Sequence, residues 1–257
     1  MTLAARFVMI LVLGLAAFAG RADSANPPAR EAVCAPRAFD GASFLICRWT
    51  PGAETLRLDW TDAAGAPLRS FDKLQQALGP AAGRVRFAMN AGMFEDDGRP
   101  LGLFIADGRT LSPLNRFHGF GNFYLKPNGV FSVSADGQVQ IETTDAFVSA
   151  ARKTAWATQS GPMLVIDGQL HPAIQPDGPS RLIRNAVGVD ADGSAYFVIS
   201  QAPVSFGKLA RLFRDELHCP NALFLDGTVS SLWAPGLNRR DNARLIGPIV
   251  TVLDRAP

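Results

Sequence analysis

The sequence predicts an α+β domain, built on a large sheet that is mixed or mostly antiparallel, with a few packing helices. Three observations carry that expectation. Asp-Gly pairs stand at 40, 97, 107, 136, 167, 177, 192 and 226, with Asn128-Gly129 as a further turn signal; such pairs readily supply the positive φ angles of tight hairpin turns. Several of them separate short β-rich runs, LGLFIA, GNFYLK, GVFSVSA, QVQIET, PMLVID, NAVGVD, AYFVIS, NALFLD and GPIVTVL, which reads as a succession of hairpins. Helical periodicity is sparse by contrast, and neither a repeat nor a polar linker divides residues 31–257. One domain is therefore expected.

Taken in order, the chain opens with Arg6 and an apolar run from Phe7 to Phe18, then Ala17-Phe18-Ala19 as a small-x-small cleavage site and Ala22 as a second end. Residues 1–22 are expected to be a signal peptide and to direct the protein to the periplasm or outside the cell. The run is shorter than the roughly 20 apolar residues of a membrane-spanning helix, so no stable membrane insertion is expected once the signal is cleaved. Residues 23–30, with Pro27-Pro28, read as a flexible lead-in. Export permits disulfides. A two-residue turn at Asp40-Gly41 pairs 39 with 42 and, counting outward, Cys34 with Cys47 at a non-hydrogen-bonded position, where side chains approach most closely. A Cys34–Cys47 bridge is expected, leaving Cys219 a buried thiol; Cys47–Cys219 is the alternative. Pro36 then requires an edge strand. Further along, Phe71 to Leu78 predicts a short helix, Asp145–Ala151 a brief one, and the stripe Phe206, Leu209, Ala210, Phe213 and Leu217 a longer one from Ser205 to His218.

Composition removes some function classes. The 257 residues are 47% hydrophobic and 19% charged, with a formal net charge of +2. Cleavage after Ala22 removes Arg6 and Arg21, so 25 − 2 = 23 basic residues would face 23 acidic ones. No polyanion-binding surface follows from such a balance, and a nucleic acid partner is not expected. The histidines, at 118, 171 and 218, form neither His-Glu-x-x-His nor a Cys/His cluster, so no protein zinc site is expected. Ser160 lacks the first Gly of a nucleophile elbow. Asp190-Ala191-Asp192-Gly193 has Gln201 where a calcium loop needs Glu. No phosphate loop or dinucleotide fingerprint is present.

Four segments differ from ordinary turns. In Ala88-Met89-Asn90-Ala91-Gly92-Met93-Phe94 a polar amide emerges from the end of an apolar strand. Ala157-Thr158-Gln159-Ser160-Gly161-Pro162-Met163-Leu164 is a polar loop entering a strand. Ser180-Arg181-Leu182-Ile183-Arg184-Asn185-Ala186-Val187-Gly188 brings Arg184 and Asn185 to the start of another. In Ala222-Leu223-Phe224-Leu225-Asp226-Gly227-Thr228-Val229-Ser230-Ser231 a hydrophobic strand ends in a carboxylate followed by Gly and hydroxyls. Singly, each is accounted for by turn chemistry or a structural ion pair.

As an ordered set they resemble the phosphodiester glycosidase domain family, over roughly residues 45–253, with variants closest to a bacterial exported branch. Two departures stand out: Asn90-Ala91-Gly92-Met93-Phe94 replaces the usual Asn-Gly-Gly-Phe-Phe, and Thr228 and Val229 replace two glycines of Asp-Gly-Gly-Gly-Ser-Ser. The resemblance implies hydrolysis of a sugar-1-phosphodiester in a glycan or cell-envelope compound. Asp226 would act as base toward water or as nucleophile at the anomeric carbon, with Arg184 clamping the phosphate through a bidentate contact. Asn90, Ser230, Ser231 and backbone N–H groups near Gly92, Gly161 and Gly227 would hold sugar hydroxyls and phosphate oxygens. Asn185 and Ser160 stand behind them, and His118 is a rim candidate. A phosphodiester anion leaves as a weak base, so the second carboxylate of ordinary glycosidases is less necessary. No cofactor is evident, although a divalent cation bridging Asp226 and substrate phosphate stays open. The competing class is a noncatalytic exported module that binds phosphorylated glycans or cell-wall polymer with the same side chains.

Overall fold

A computed structural model of the protein describes residues 32–256, so the expected signal segment 1–22 and the expected lead-in 23–30 lie outside the described residues. The first hairpin follows its turn chemistry. Asp40 and Gly41 both take positive φ, 46° and 71°, and Cys34–Phe39 pairs antiparallel with Ala42–Trp49 in the register Cys34↔Cys47. Those two cysteines form the disulfide. Cys219 is free and buried, which excludes the Cys47–Cys219 alternative. The Asp107-Gly108 and Asp167-Gly168 turns repeat the pair of positive φ angles.

Every strand pairing in the sheets is antiparallel, but the single large sheet expected is divided into three. The first has seven strands in the spatial order Cys34–Phe39, Ala42–Trp49, Ala195–Ser200, Asn185–Val189, Asn221–Phe224, Met163–Ile166 and Gln169–Leu170. Cys34–Phe39 lies at its edge, where Pro36 costs no ladder bond. A second sheet orders Arg239–Arg240, Leu232–Ala234, Val85–Asn90, Ile249–Asp254 and Glu54–Asp59. The third orders Arg109–Ser112, Phe104–Ala106, Thr154–Ser160, Gly129–Ser134 and Val139–Thr143. All three contribute to one core. Phe197 of the first sheet packs its ring 5.5 Å from Phe87 of the second and 5.5 Å from Phe131 of the third.

Helices cover the outer faces. Helix α1 (Phe71–Leu78) is capped by Ser70, whose side chain accepts from Lys73 N, and buries Phe71 and Leu74. Helix α2 (Thr144–Ala150) is capped by Thr143, whose side chain accepts from Ala146 N, and is closed by Ala151 in the left-handed region. Helix α3 (Phe206–Arg211), capped by Ser205, continues as a π-helical turn over Leu212–Glu216. Its expected apolar stripe packs on the seven-stranded sheet: Leu209, Ala210, Leu212 and Phe213 join Ala186, Val198 and Ala222. One expectation is corrected. GNFYLK is not a strand; Asn122–Tyr124 forms a 3-10 turn, because Gly121 turns the chain at φ 92° and Asn128 Nδ2 donates to Phe123 O. Local bonds thus take up the groups that a neighbouring strand would have needed. Among the described residues, no helix is long and apolar enough to cross a membrane.

Candidate functional site

The candidate site lies where strands of the first two sheets end together. Asn90 closes Val85–Asn90, Asn185 opens Asn185–Val189, and Asp226 follows Asn221–Phe224 as the cap of a 3-10 turn over Gly227–Val229. Asn90 and Asn185 are buried, and each is satisfied. Asn185 Nδ2 donates to Asn90 O at 2.9 Å and to Asn90 Oδ1 at 3.0 Å. The same Oδ1 accepts from Ser231 N at 2.8 Å, while Asn90 Nδ2 donates to Asp226 O at 2.8 Å. Ser230 Oγ lies within reach of Asn185 Oδ1 at 3.1 Å and Gly227 O at 3.1 Å. Asp226 N donates to Ala91 O at 3.1 Å. Five residues expected from sequence therefore form one hydrogen-bonded network: Asn90, Asn185, Asp226, Ser230 and Ser231. Both buried amides bond protein groups through oxygen and nitrogen alike, so they position the turn that carries Asp226.

Asp226 is the carboxylate that this scaffold presents. Its Oδ1 accepts from Thr228 N at 3.1 Å, and no cation forms an ion pair with it among the described residues. Burial raises its pKa above the ordinary carboxylate value, against the opposing effect of the Thr228 hydrogen bonds. A carboxylate so placed is a better proton acceptor than a solvated one. The neighbouring Asp241 is spent differently, on Leu232 N at 2.9 Å and on the Arg239 guanidinium.

The glycines act through close approach. A Cβ on Gly92 would stand 2.5 Å from both Gln159 O and Thr158 Oγ1, and one on Gly161 would stand 2.7 Å from Asn128 Cβ. Gly227 packs on Phe224, whose ring would lie 2.4 Å from an added Cβ. Thr228, Val229 and Ala91, the non-glycine departures noted in the sequence, are not among the residues at positive φ, so the backbone there makes no conformational demand for glycine. Ser160 ends its strand fully buried, and its Oγ has no hydrogen-bond partner. Its chain neighbours lie near the strands that carry the network: Gln159 O against Gly92, and Pro162 O accepting from Phe224 N at 3.1 Å.

Two expected residues are placed otherwise. Arg184 is fully buried, with Nε on Val204 O at 2.9 Å and Nη2 on Ser180 O and Oγ. Its guanidinium lies 3.7 Å from the Phe206 ring centroid and 5.5 Å from that of Phe224. The bidentate phosphate clamp expected of it is therefore corrected: one edge of the fork is occupied by protein carbonyls, and only Nη1 is unpartnered. Desolvation brings its pKa down to about 10, which keeps it charged at neutral pH. It stacks on Phe224, and Phe224 supports Gly227, so Arg184 acts on the Asp226 turn from behind. His118 is exposed and lines a separate pocket with Arg116 and Lys126; no hydrogen bond joins it to the Asp226 network.

Sequence reasoning passed over Gln159 and Asn128. Gln159 Oε1 accepts from Leu103 N at 3.0 Å and Asn115 N at 2.9 Å, while its Nε2 donates to Asn115 O at 2.7 Å. Asn128 fixes Phe123 O and accepts from Thr144 Oγ1. The available signal was a long polar side chain inside a strand run, Thr158-Gln159-Ser160, which burial obliges to be hydrogen-bonded. Among the described residues, no group of three or more His, Cys, Asp or Glu is placed to hold a metal ion.

Three antiparallel sheets share one core, and an Asn–Asn–Ser network holds the Asp226 carboxylate where strands of two of them end. The phosphodiester glycosidase family matches residues 83–253, and the protein is a member of that family. It is 36% identical over 186 residues to the uncharacterized protein YigE of Escherichia coli K12, covering 72% of each chain. Among solved structures, the zebrafish N-acetylglucosamine-1-phosphodiester alpha-N-acetylglucosaminidase catalytic domain, auto-inhibited by its pro-peptide, superposes with a TM-score of 0.60 at 16% identity. That match covers 86% of this chain and 82% of the other. A hypothetical protein from Synechocystis superposes with a TM-score of 0.53 at 16% identity, covering 86% of this chain and 61% of the other. These two likenesses define a shared fold.

Proposed function

We propose that the protein is an exported hydrolase that cleaves a sugar-1-phosphodiester in a glycan or cell-envelope compound, with Asp226 as its reactive carboxylate. The observation that carries this reading is the setting of that carboxylate, largely buried and with no ion-pair partner among the described residues. Asp226 stands on the Asn90–Asn185–Ser230–Ser231 network with burial raising its pKa, and Asp241 is engaged by Arg239. Hydrolysis of an ordinary glycoside calls for a second carboxyl group to protonate the departing alkoxide. A phosphomonoester leaving group needs no such acid, so Asp226 suffices as the reacting carboxylate, in keeping with the family to which the chain belongs.

In this reading Asp226 takes a proton from water as the water oxygen bonds to the anomeric carbon. The C1–O bond breaks, its electron pair leaves with the phosphate, and the products are a free sugar and a phosphomonoester. Ser230, Ser231 and the N–H groups of Gly92, Gly161 and Gly227 contact the sugar hydroxyls and phosphate oxygens; Asn90, Asn185 and Arg184 are positioning residues. Reaction in oxygen-18 water tests the assignment. Mass detection should find the label in the released sugar; label in the phosphate would overturn attack at carbon, and binding of sugar phosphodiesters with no release would identify a binding module instead.

A further inference from the structure

A second site is carried by the pocket that His118 lines. It is an open pocket of about 410 Å³, with Arg116, His118, Lys126, Asn128, Thr143 and Asp145 among its walls. Lys126 is half-buried there, and its ammonium gives one hydrogen bond, to Asn128 Oδ1 at 3.2 Å. No carboxylate lies within ion-pair distance of it among the described residues, so two of its three donors are unspent. Burial lowers its pKa from the ordinary lysine value, with Asp145 opposing and Arg116 assisting. The anchor of that lysine is rigid: the Asn128 amide also accepts from Thr144 Oγ1 at 2.8 Å and donates to Phe123 O at 3.0 Å. Arg116 spends Nη2 on Asp145 at 2.8 Å, an exposed pair of small worth, and keeps its other donors. Half-burying an unpaired cation is unfavourable until an anion reaches it.

The rim adds an apolar face. Phe117, between the lining residues Arg116 and His118, is 78% exposed, and Phe120 in the same loop is fully exposed. A ring held in solvent beside polar walls is suited to the C–H face of a sugar. We propose that this pocket is a binding subsite for an anionic saccharide, a sugar bearing a phosphate or carboxylate group, held by Lys126 and Arg116 with Phe117 against the ring. Its wall residue Asn128 lies beside Gly161, with Asn128 Cβ 2.7 Å from where a Cβ on that glycine would stand. The subsite does not depend on hydrolysis at Asp226.

Calorimetric titration of the full chain with glucose 6-phosphate, glucuronate, glucose and inorganic phosphate tests it. Glucose 6-phosphate or glucuronate should bind more tightly than both glucose and inorganic phosphate, and whichever prevails identifies the anion. Lys126→Met, which keeps the aliphatic stem, should weaken that binding about tenfold or more. Arg116→Gln and Phe117→Ala, at exposed positions, should each weaken it severalfold at an unchanged melting temperature, and they carry the test if Lys126→Met does not fold. Neither sugar is a phosphodiester, so the result is read whatever the outcome for hydrolysis. The proposal is overturned if neither anionic sugar binds better than glucose and inorganic phosphate, or if the folded variants bind as the unaltered chain does.

Discussion

Asp226 shows how a single residue can be tuned against the stability of its own fold. Burial raises its folded-state pKa, so the folded protein holds this proton more tightly than the unfolded chain does. The resulting stability is fully present below the ordinary carboxylate pKa and is lost as pH rises through the raised value. Asp226→Asn imitates the protonated form. Thermal melting should therefore find the variant more stable than the unaltered chain near neutral pH, with the gap closing toward about pH 3. Its activity should fall by about 10²–10⁴-fold. If the proposed hydrolysis is seen with the unaltered chain, the acid limb of its rate profile should lie above the pH at which a solvated carboxylate titrates. Arg184 illustrates a different residue-scale rule. It adjoins Asn185 on extended chain, where successive side chains face opposite sides; with Asn185 aimed at Asn90, Arg184 is directed into the layer of Phe206 and Phe224. That alternation was readable in the sequence, whereas the presence of Phe206 over its guanidinium was not.

Among the elements, the hairpins were the most legible, because Asp-Gly turn chemistry is local. Asp40-Gly41 was enough to place Cys34 opposite Cys47. The bridge closes a short loop on an edge hairpin, with a sequence separation of 13. Replacing both cysteines by serine should cost about 3 kcal/mol in denaturant unfolding and leave kcat for sugar release unchanged, since the candidate site is built from other strands. Helix α1 was equally legible, expected and found over Phe71–Leu78. The GNFYLK segment was not, because Asn128 competes for its backbone through Phe123 O. Where two strands' ends approach each other, glycine carries the constraint. Gly92→Ala would drive a methyl against Gln159 O and Thr158 Oγ1; it should lower stability by about 1–3 kcal/mol, and the melting temperature of the purified variant checks this.

For the whole molecule, class and strand grammar were legible while the division into three sheets was not. A strand's run of apolar residues states that it is buried; it does not state which partner it pairs with. Phe87, Phe131 and Phe197 come from different sheets and meet in one cluster, a choice made by packing across more than a hundred residues of chain. The polar set was legible as an ordered group, and the network among Asn90, Asn185, Asp226, Ser230 and Ser231 is the physical reason its members occur together. The central claim is that this network presents one carboxylate for hydrolysis of a sugar-1-phosphodiester. Its most direct test is the initial rate of sugar release from a panel of sugar-1-phosphodiesters by the unaltered chain and by Asp226→Asn, both confirmed as folded by near-UV circular dichroism. The account predicts release by the unaltered chain and a loss of at least about a hundredfold in the variant; undiminished release by folded Asp226→Asn would contradict it.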